Sequence, residues 1–177
     1  MATPIESRIR LFLGDITSLD CDVIVTAAND ALCGGGGVDG AVHDAAGPEL
    51  VRASMALAPC PAGGARITNA FDLDAKFVIH AVCPIFRDLN TDNETLANTY
   101  RSSLSLAAEN GAQSIAFPCI STGAFGFPAD AACEIAIKTV VDWVRFHDLP
   151  LVVTFCCFLP DDHTRYEQRL NELGILS

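Results

Sequence analysis

The sequence predicts an α/β fold in which a largely parallel sheet is covered by helices on both faces. Five apolar runs have the length and composition of strands. They alternate with segments of helical periodicity, the order typical of parallel strands joined by crossover helices. The five predicted strands are residues 9–13, 23–27, 77–82, 114–118 and 151–158.

Three long helices are predicted between and after these strands. They span residues 92–110, about 128–146 and about 161–173. A capping box of Thr91 and Glu94 is predicted at the start of the first helix. On the exposed face of the second, Glu134 and Lys138 have the spacing of an ion pair. The first two helices also carry an apolar stripe that can pack on the sheet.

The charge balance disfavours a nucleic-acid partner. The formal net charge is −11, whereas binding to a phosphate backbone depends on clusters of Lys and Arg. No run reaches the ~20 apolar residues that a membrane helix needs, and the N-terminus lacks the apolar core of a signal peptide. From the length of 177 residues we expect one domain over residues 1–177, with no nucleic-acid or membrane partner.

The eight cysteines favour a reducing compartment. They are spread singly apart from the adjacent Cys156 and Cys157, without a C-x-x-C motif or the spacing of a zinc site. We therefore expect a cytoplasmic protein with reduced, mostly buried thiols and with no metal or cofactor. Neighbours in a strand point to opposite faces, so Cys156 and Cys157 are not expected to act together. Cys119 has no base supplied by the sequence and is expected to be structural.

The most informative segment is a run of four glycines at 34–37, followed by Val38, Asp39, Gly40 and a helix-like stretch that contains His43. Glycine lets backbone N–H groups turn towards a ligand, and a helix N-terminus offers free donors with partial positive charge. This combination is typical of a phosphate or pyrophosphate site. Because an acid repels such an anion, Asp39 indicates chemistry or ribose recognition at the site.

A second loop, residues 119–128, has the same design. It follows the strand at 114–118 and contains small residues and two glycines before Pro128 opens a helix. Neither the glycine segment nor residues 121–127 contain Lys or Arg, so backbone amides and helix dipoles must hold any anion. In parallel sheets, ligands bind beyond the carboxyl ends of the strands. Two such loops at one edge predict a diphosphate clamped between them.

Together these segments resemble the macrodomain family, most closely its MacroD-type branch. The resemblance implies a three-layer α/β/α sandwich around a mixed, largely parallel six-stranded sheet. It also implies a hydrolase that binds ADP-ribose, deacetylates O-acetyl-ADP-ribose and removes mono-ADP-ribose from acidic side chains of modified proteins. It covers nearly the whole chain and rests on Gly14-Asp15-Ile16-Thr17, Ala27-Ala28-Asn29, the segment 34–40, His43, Ala45-Ala46-Gly47, Val78-Ile79-His80 and the segment 119–128.

The resemblance also implies roles for single residues. Asp39 matches the catalytic acid, and Asn29 matches the residue that holds the distal ribose. Asp15, beside the backbone of Ile16, matches the acid that binds the adenine amino group, and Phe158 matches the aromatic that stacks on adenine. The matching phosphate-loop positions are Gly36, Gly37, Val38, Ser121, Thr122, Gly123, Ala124, Phe125 and Gly126, with Phe125 also against the distal ribose.

Two positions depart from the family pattern. Thr26 stands where the family usually has Asn, and we expect it to be structural, so that binding survives. Asp44 replaces a residue that is usually basic.

Alternatives remain open for several residues. Asp39 could be a helix N-cap, and His43, on the same helix face, could orient Asp39 or take part in catalysis. His80 is expected to be a histidine of the core. At least one of Phe125 and Phe127 is expected to face a ligand.

Two other functions compete with hydrolysis. A module could bind ADP-ribose without cleaving it, but such a reader needs no acid at position 39. The glycines at 35, 37 and 40 also fit the G-x-G-x-x-G dinucleotide pattern. They lie several residues past the strand, however, with no acid near position 60 to hold a ribose.

Overall fold

A mixed six-stranded sheet forms the centre of the computed structural model, which describes residues 3–176. The strands are β1 (Ile9–Leu13), β2 (Val23–Ala28), β3 (Ala65–Asn69), β4 (Phe77–Val82), β5 (Ser114–Phe117) and β6 (Val152–Cys157). Their order across the sheet is β1-β6-β5-β2-β4-β3. All pairings are parallel except that of β3 with β4.

Helices cover both faces of the sheet, which confirms the three-layer α/β/α prediction. The helices are α1 (Gly37–Ala46), α2 (Glu49–Met55), α3 (Asp92–Glu109), α4 (Ala129–Phe146) and α5 (Pro160–Glu172). α1 and α2 pack on one face, and α3, α4 and α5 pack on the other. Across residues 3–176, no helix has both the length and the hydropathy required to cross a membrane.

Strand periodicity decides which side chain meets which helix layer. On β2, Val23 and Val25 enter the large core beneath α3 and α4, while Ile24 enters the smaller core beneath α1 and α2. The same alternation places Cys157 in the large core and Cys156 in the small one, as expected. Thr26 therefore lies on the α1 side of the sheet, in register with His80 of β4.

The structure corrects three details of the sequence prediction. The sequence prediction lacks β3, because only Ala65 and Ile67 of its five residues are apolar and the strand lies at a sheet edge. The side chain of Thr91 forms no cap hydrogen bond. Glu134 pairs with Arg169 of α5, at 2.6 Å, instead of with Lys138, because a guanidinium can hold both carboxylate oxygens.

The parallel strands bring distant loops to one edge. β1, β2, β5 and β6 all end at the same side of the sheet. The segments that follow them are the turn at 14–18, the glycine segment, the loop 118–128 and residues 158–159. Any ligand site at this edge is thus built from four widely separated parts of the chain.

Candidate functional site

A cavity of about 880 Å³ opens at this edge of the sheet, a volume within the range of small-molecule and cofactor sites. Its walls include Asp39 and all the predicted ligand-binding residues except Gly126: Asp15, Ile16, Asn29, Gly36, Gly37, Val38, Ser121, Thr122, Gly123, Ala124, Phe125 and Phe158. The ionisable wall residues include three aspartates (Asp15, Asp39 and Asp162), and no Lys or Arg of the described residues lines it.

The glycine segment ends as the N-terminus of α1. Gly36 is the N-cap residue, and it has no side chain to occupy the free donors of the first turn. Within residues 3–176, the backbone N–H groups of Gly36, Gly37 and Val38 donate no hydrogen bond. Gly40 must lack a Cβ, because one built there would lie 2.9 Å from the carbonyl oxygen of Gly35. The backbone therefore presents unpaired donors to the cavity, as an anion site requires.

Asn29 braces this segment from the end of β2. Its amide nitrogen donates to the carbonyl of Gly34 at 3.0 Å, and its amide oxygen accepts from the backbone N–H of Cys33 at 3.2 Å. An amide nitrogen has two N–H donors, so one remains for a ligand. Asn29 thus combines a bracing role with the predicted position in the cavity wall.

The second loop is held by hydrogen bonds within it and with residues 84–86. Ser121 has a φ of 73°, and its hydroxyl donates to the carbonyl of Pro84 at 2.6 Å. Phe127 is buried in the core, whereas Phe125 lines the cavity. The backbone N–H groups of residues 122–125 donate no hydrogen bond within residues 3–176.

Gly126, predicted as part of the second phosphate loop, is not among the residues that line the cavity. Its N–H donates to the carbonyl of Gly123 at 3.0 Å, and its φ is 71°. This is a conformation that favours glycine. Gly126 therefore closes the turn, and the free donors that line the cavity belong to the residues before it.

Asp15 follows β1 and Phe158 follows β6, whereas Asp39 lies on α1, which packs against β2. Oδ1 of Asp15 accepts from the N–H and the hydroxyl of Thr17, at 2.9 and 2.7 Å. Asp15 therefore caps the start of the 3-10 turn at 16–18 and still has a second carboxylate oxygen for a ligand. Phe158 follows β6 and lines the cavity with 75% of its surface exposed. Its ring is therefore free to stack on a flat ligand group.

Asp39 is a buried carboxylate in the cavity wall, with 3% of its surface exposed. It lies in the first turn of α1 but does not cap it, because its Oδ1 accepts from the hydroxyl of Thr26 at 2.8 Å. Nε2 of His43 lies 3.4 Å from the same oxygen. Burial raises the pKa of the Asp39 carboxyl, while the Thr26 hydrogen bond and His43 act to lower it.

His43 lies beside Asp39 and is not among the residues that line the cavity. Its ring centroid is 6.0 Å from that of His80. His80 is buried and shares a 3.0 Å hydrogen bond with the hydroxyl of Thr68. Nδ1 of each histidine is buried without a partner among the described residues. Burial, with a smaller effect of His43, lowers the pKa of His80 to about 4.

The neutral His80 should make the fold sensitive to acid. Between pH 6.5 and 4, the unfolded chain binds a proton at this position that the folded chain does not. The free energy of unfolding therefore decreases as the pH is lowered through this range. The expected loss reaches about 3 kcal/mol at pH 4 and vanishes above pH 6.5. Urea titrations of the wild type and His80→Gln at pH 7 and 4 measure it, with the exposed His147→Gln as control. Equal losses in the wild type and His80→Gln would contradict the assignment.

The sequence missed two contacts near the cavity. Thr26, expected only to be structural, hydrogen-bonds Asp39, and the signal was its place on the face of β2 that α1 covers. Sγ of Cys119 lies 3.7 Å from Sγ of Cys157, where the adjacent strands β5 and β6 end. The Cys119 hydrogen bond and burial raise the pKa of Cys157 far above its usual range, which fits a structural pair of thiols.

Known proteins are similar to this chain in both sequence and fold. The Macro domain family model matches residues 25–136. The O-acetyl-ADP-ribose deacetylase of Escherichia fergusonii is 49% identical over 174 residues, covering 96% of this chain and 98% of that protein. Human ADP-ribose glycohydrolase MACROD2 is 47% identical over 172 residues, covering 95% of this chain and 40% of the human protein.

Solved macrodomain structures have the same fold as this chain. The Oceanobacillus iheyensis macrodomain with ADP has a TM-score of 0.92 at 38% identity, covering 98% of this chain and 96% of that one. The Trypanosoma brucei macrodomain in complex with ADP-ribose has a TM-score of 0.86 at 39% identity, covering 92% and 69%. The family model spans more than half of the chain, and the relatives are about half identical to it over almost its whole length. The chain therefore belongs to the macrodomain family.

Proposed function

We propose that this protein binds ADP-ribose and hydrolyses its esters. The substrates are O-acetyl-ADP-ribose, which would be deacetylated, and proteins that carry mono-ADP-ribose on acidic side chains. The observation that carries the proposal is the buried Asp39 carboxylate in the wall of a cavity whose loops present free N–H donors. The names of the bacterial and human relatives support the same reaction class.

The cavity suggests one orientation for the ligand. Adenine would lie between Asp15 and Phe158, which occupy the end of the cavity next to β1 and β6. The diphosphate would accept from the free N–H groups of the glycine segment and of residues 122–125. The distal ribose would then lie near Asn29 and Asp39, where hydrolysis takes place.

The proposed reaction is a direct attack by water. Asp39 orients the water and accepts its proton, and the oxygen attacks the acetyl carbonyl or C1″ of the distal ribose. The ester bond breaks, and the leaving oxygen departs as the ribose hydroxyl or as the carboxylate of the modified side chain. Backbone N–H groups of the second loop would stabilise the developing charge. A single positioned acid or base contributes about 10²–10⁴-fold, which is sufficient for an ester.

Product release from two substrates tests the proposal. The protein is offered O-acetyl-ADP-ribose and a glutamate-linked mono-ADP-ribosylated protein, and the release of acetate or ADP-ribose is followed by mass spectrometry. Calorimetry with ADP-ribose and AMP is the binding control, and AMP is expected to bind much more weakly because it lacks the second phosphate and ribose. ADP-ribose binding without release from either ester would make the protein a reader. Equal affinities for AMP and ADP-ribose would contradict the proposed binding site for the distal ribose.

We also propose a cytoplasmic location. All eight cysteines are free thiols, and the only pair in contact, Cys119 and Cys157 among the described residues, is not bonded. Structures with many unpaired thiols are typical of reducing compartments. Fractionation of cells that express a tagged full-length chain tests this proposal.

A further inference from the structure

The Asp39 carboxylate has two oxygens in different surroundings. Oδ1 accepts from the hydroxyl of Thr26 at 2.8 Å and lies 3.4 Å from Nε2 of His43. Oδ2 points to the glycine segment: a Cβ built on Gly35 would lie 3.6 Å from Oδ2 and 4.0 Å from the amide nitrogen of Asn29. The anchored oxygen is therefore on the sheet side, and the free oxygen is on the side of the cavity and Asn29.

Thr26 is well placed to fix this arrangement. It lies on β2, which pairs with β4 on one side and β5 on the other, and it is completely buried. A β-branched side chain on a strand has few rotamers. Its hydroxyl has a single hydrogen, which the Asp39 contact uses. The central strand thus holds one donor at a fixed place under the carboxylate.

We propose that Thr26 is a positioning residue for Asp39: its hydroxyl fixes the carboxylate so that Oδ2 faces the cavity and the reacting water. The proposal rests on the function proposed above and adds a residue at which this chain departs from the family pattern. Thr26 itself does not line the cavity, so it acts only through Asp39. Its loss should therefore impair turnover and leave ligand binding almost unchanged.

A second consequence concerns pH. Burial raises the pKa of Asp39, and the Thr26 hydrogen bond is the largest opposing influence, followed by His43. The groups on the elements around α1 are Asp15 beside the 3-10 turn at 16–18, Glu49 and Arg52 on α2, and His80 on β4. Removing the hydroxyl should raise the Asp39 pKa further. The acid limb of the pH–rate profile, where Asp39 becomes protonated, should then move to higher pH.

The test compares Thr26→Val, which keeps the shape and loses the donor, with Thr26→Ser, which keeps the donor. At pH 7 we expect Thr26→Val to lower kcat by about tenfold or more, the usual effect of losing a hydrogen bond to a charged group. ADP-ribose affinity should stay within about twofold, and the acid limb should shift upwards. Thr26→Ser should restore most of the rate. Thr139→Val, which removes a buried hydroxyl from α4, is the matched control.

Carboxyl ¹³C NMR of Asp39 separates this inference from the proposed function. The Asp39 pKa should be higher in Thr26→Val than in the wild type or Thr26→Ser, whether or not the wild type hydrolyses either ester. If Thr26→Val does not fold, Thr26→Ala replaces it in the comparison with Thr26→Ser. An Asp39 pKa and kcat equal to those of the wild type, in a folded variant without the hydroxyl, would overturn the inference. A proportional loss of kcat and affinity in the serine variant would do so as well.

Discussion

Asp39→Ala is expected to lower ester hydrolysis by at least ~10², because it removes the group that orients and deprotonates the water. ADP-ribose binding should stay within about tenfold or improve, since a negative charge next to the phosphates disappears. Asp39 does not cap α1, so the helix keeps its N-terminus. The buried hydroxyl of Thr26 loses its acceptor, at a cost of about 1–3 kcal/mol in stability. Single-turnover rates and calorimetry measure the two effects.

The matched control is Asp44→Ala, which removes an exposed acid from the same helix. Circular dichroism of both variants shows whether the fold is retained. Full activity in a folded Asp39→Ala variant would refute the assignment, and His43 would be the next residue to examine. Loss of ADP-ribose binding together with activity would instead show that Asp39 contributes to substrate binding.

Phe158→Ala should weaken ADP-ribose binding by roughly 1–3 kcal/mol, if its ring stacks on adenine as aromatic side chains stack on bases. The ring is 75% exposed at the cavity rim, so its removal leaves no void in the core. Phe146→Ala is the matched control, since that ring is 80% exposed at the end of α4 and does not line the cavity. Titration calorimetry gives both affinities. An unchanged affinity in Phe158→Ala would assign adenine to another surface.

The sequence predicted the parts of the fold that have strong local patterns. Apolar runs predicted five of the strands, whereas β3 has no such run, because only Ala65 and Ile67 of its five residues are apolar. The four glycines before a helix predicted a ligand-binding loop, because such a run has few other structural roles. Contacts between distant side chains were missed, because no local pattern specifies the partner. Glu134 forms an ion pair with Arg169 on another helix, and the Thr26 hydroxyl on β2 donates a hydrogen bond to Asp39 on α1.

The site shows the same division. Backbone groups in the cavity wall follow from loop chemistry, so Gly36, Gly37 and residues 122–125 were predictable. The hydrogen bond that the Gly126 N–H donates within the loop was not predictable, since only the turn geometry shows it. Asn29 and Asp15 each hydrogen-bond to a loop or turn and also lie in the cavity wall. Sequence motifs name such residues without showing how many partners they have.

The acidic wall has a consequence for how a ligand arrives. With a net charge of −11 and carboxylates as the charged side chains in the described wall, the protein repels an anionic nucleotide over long distances. Attraction begins only within reach of the amide dipoles, after the ligand has already met the surface. Added electrolyte screens the long-range repulsion, so capture should accelerate as ionic strength rises. Proteins that draw their ligands in with lysine and arginine show the reverse behaviour.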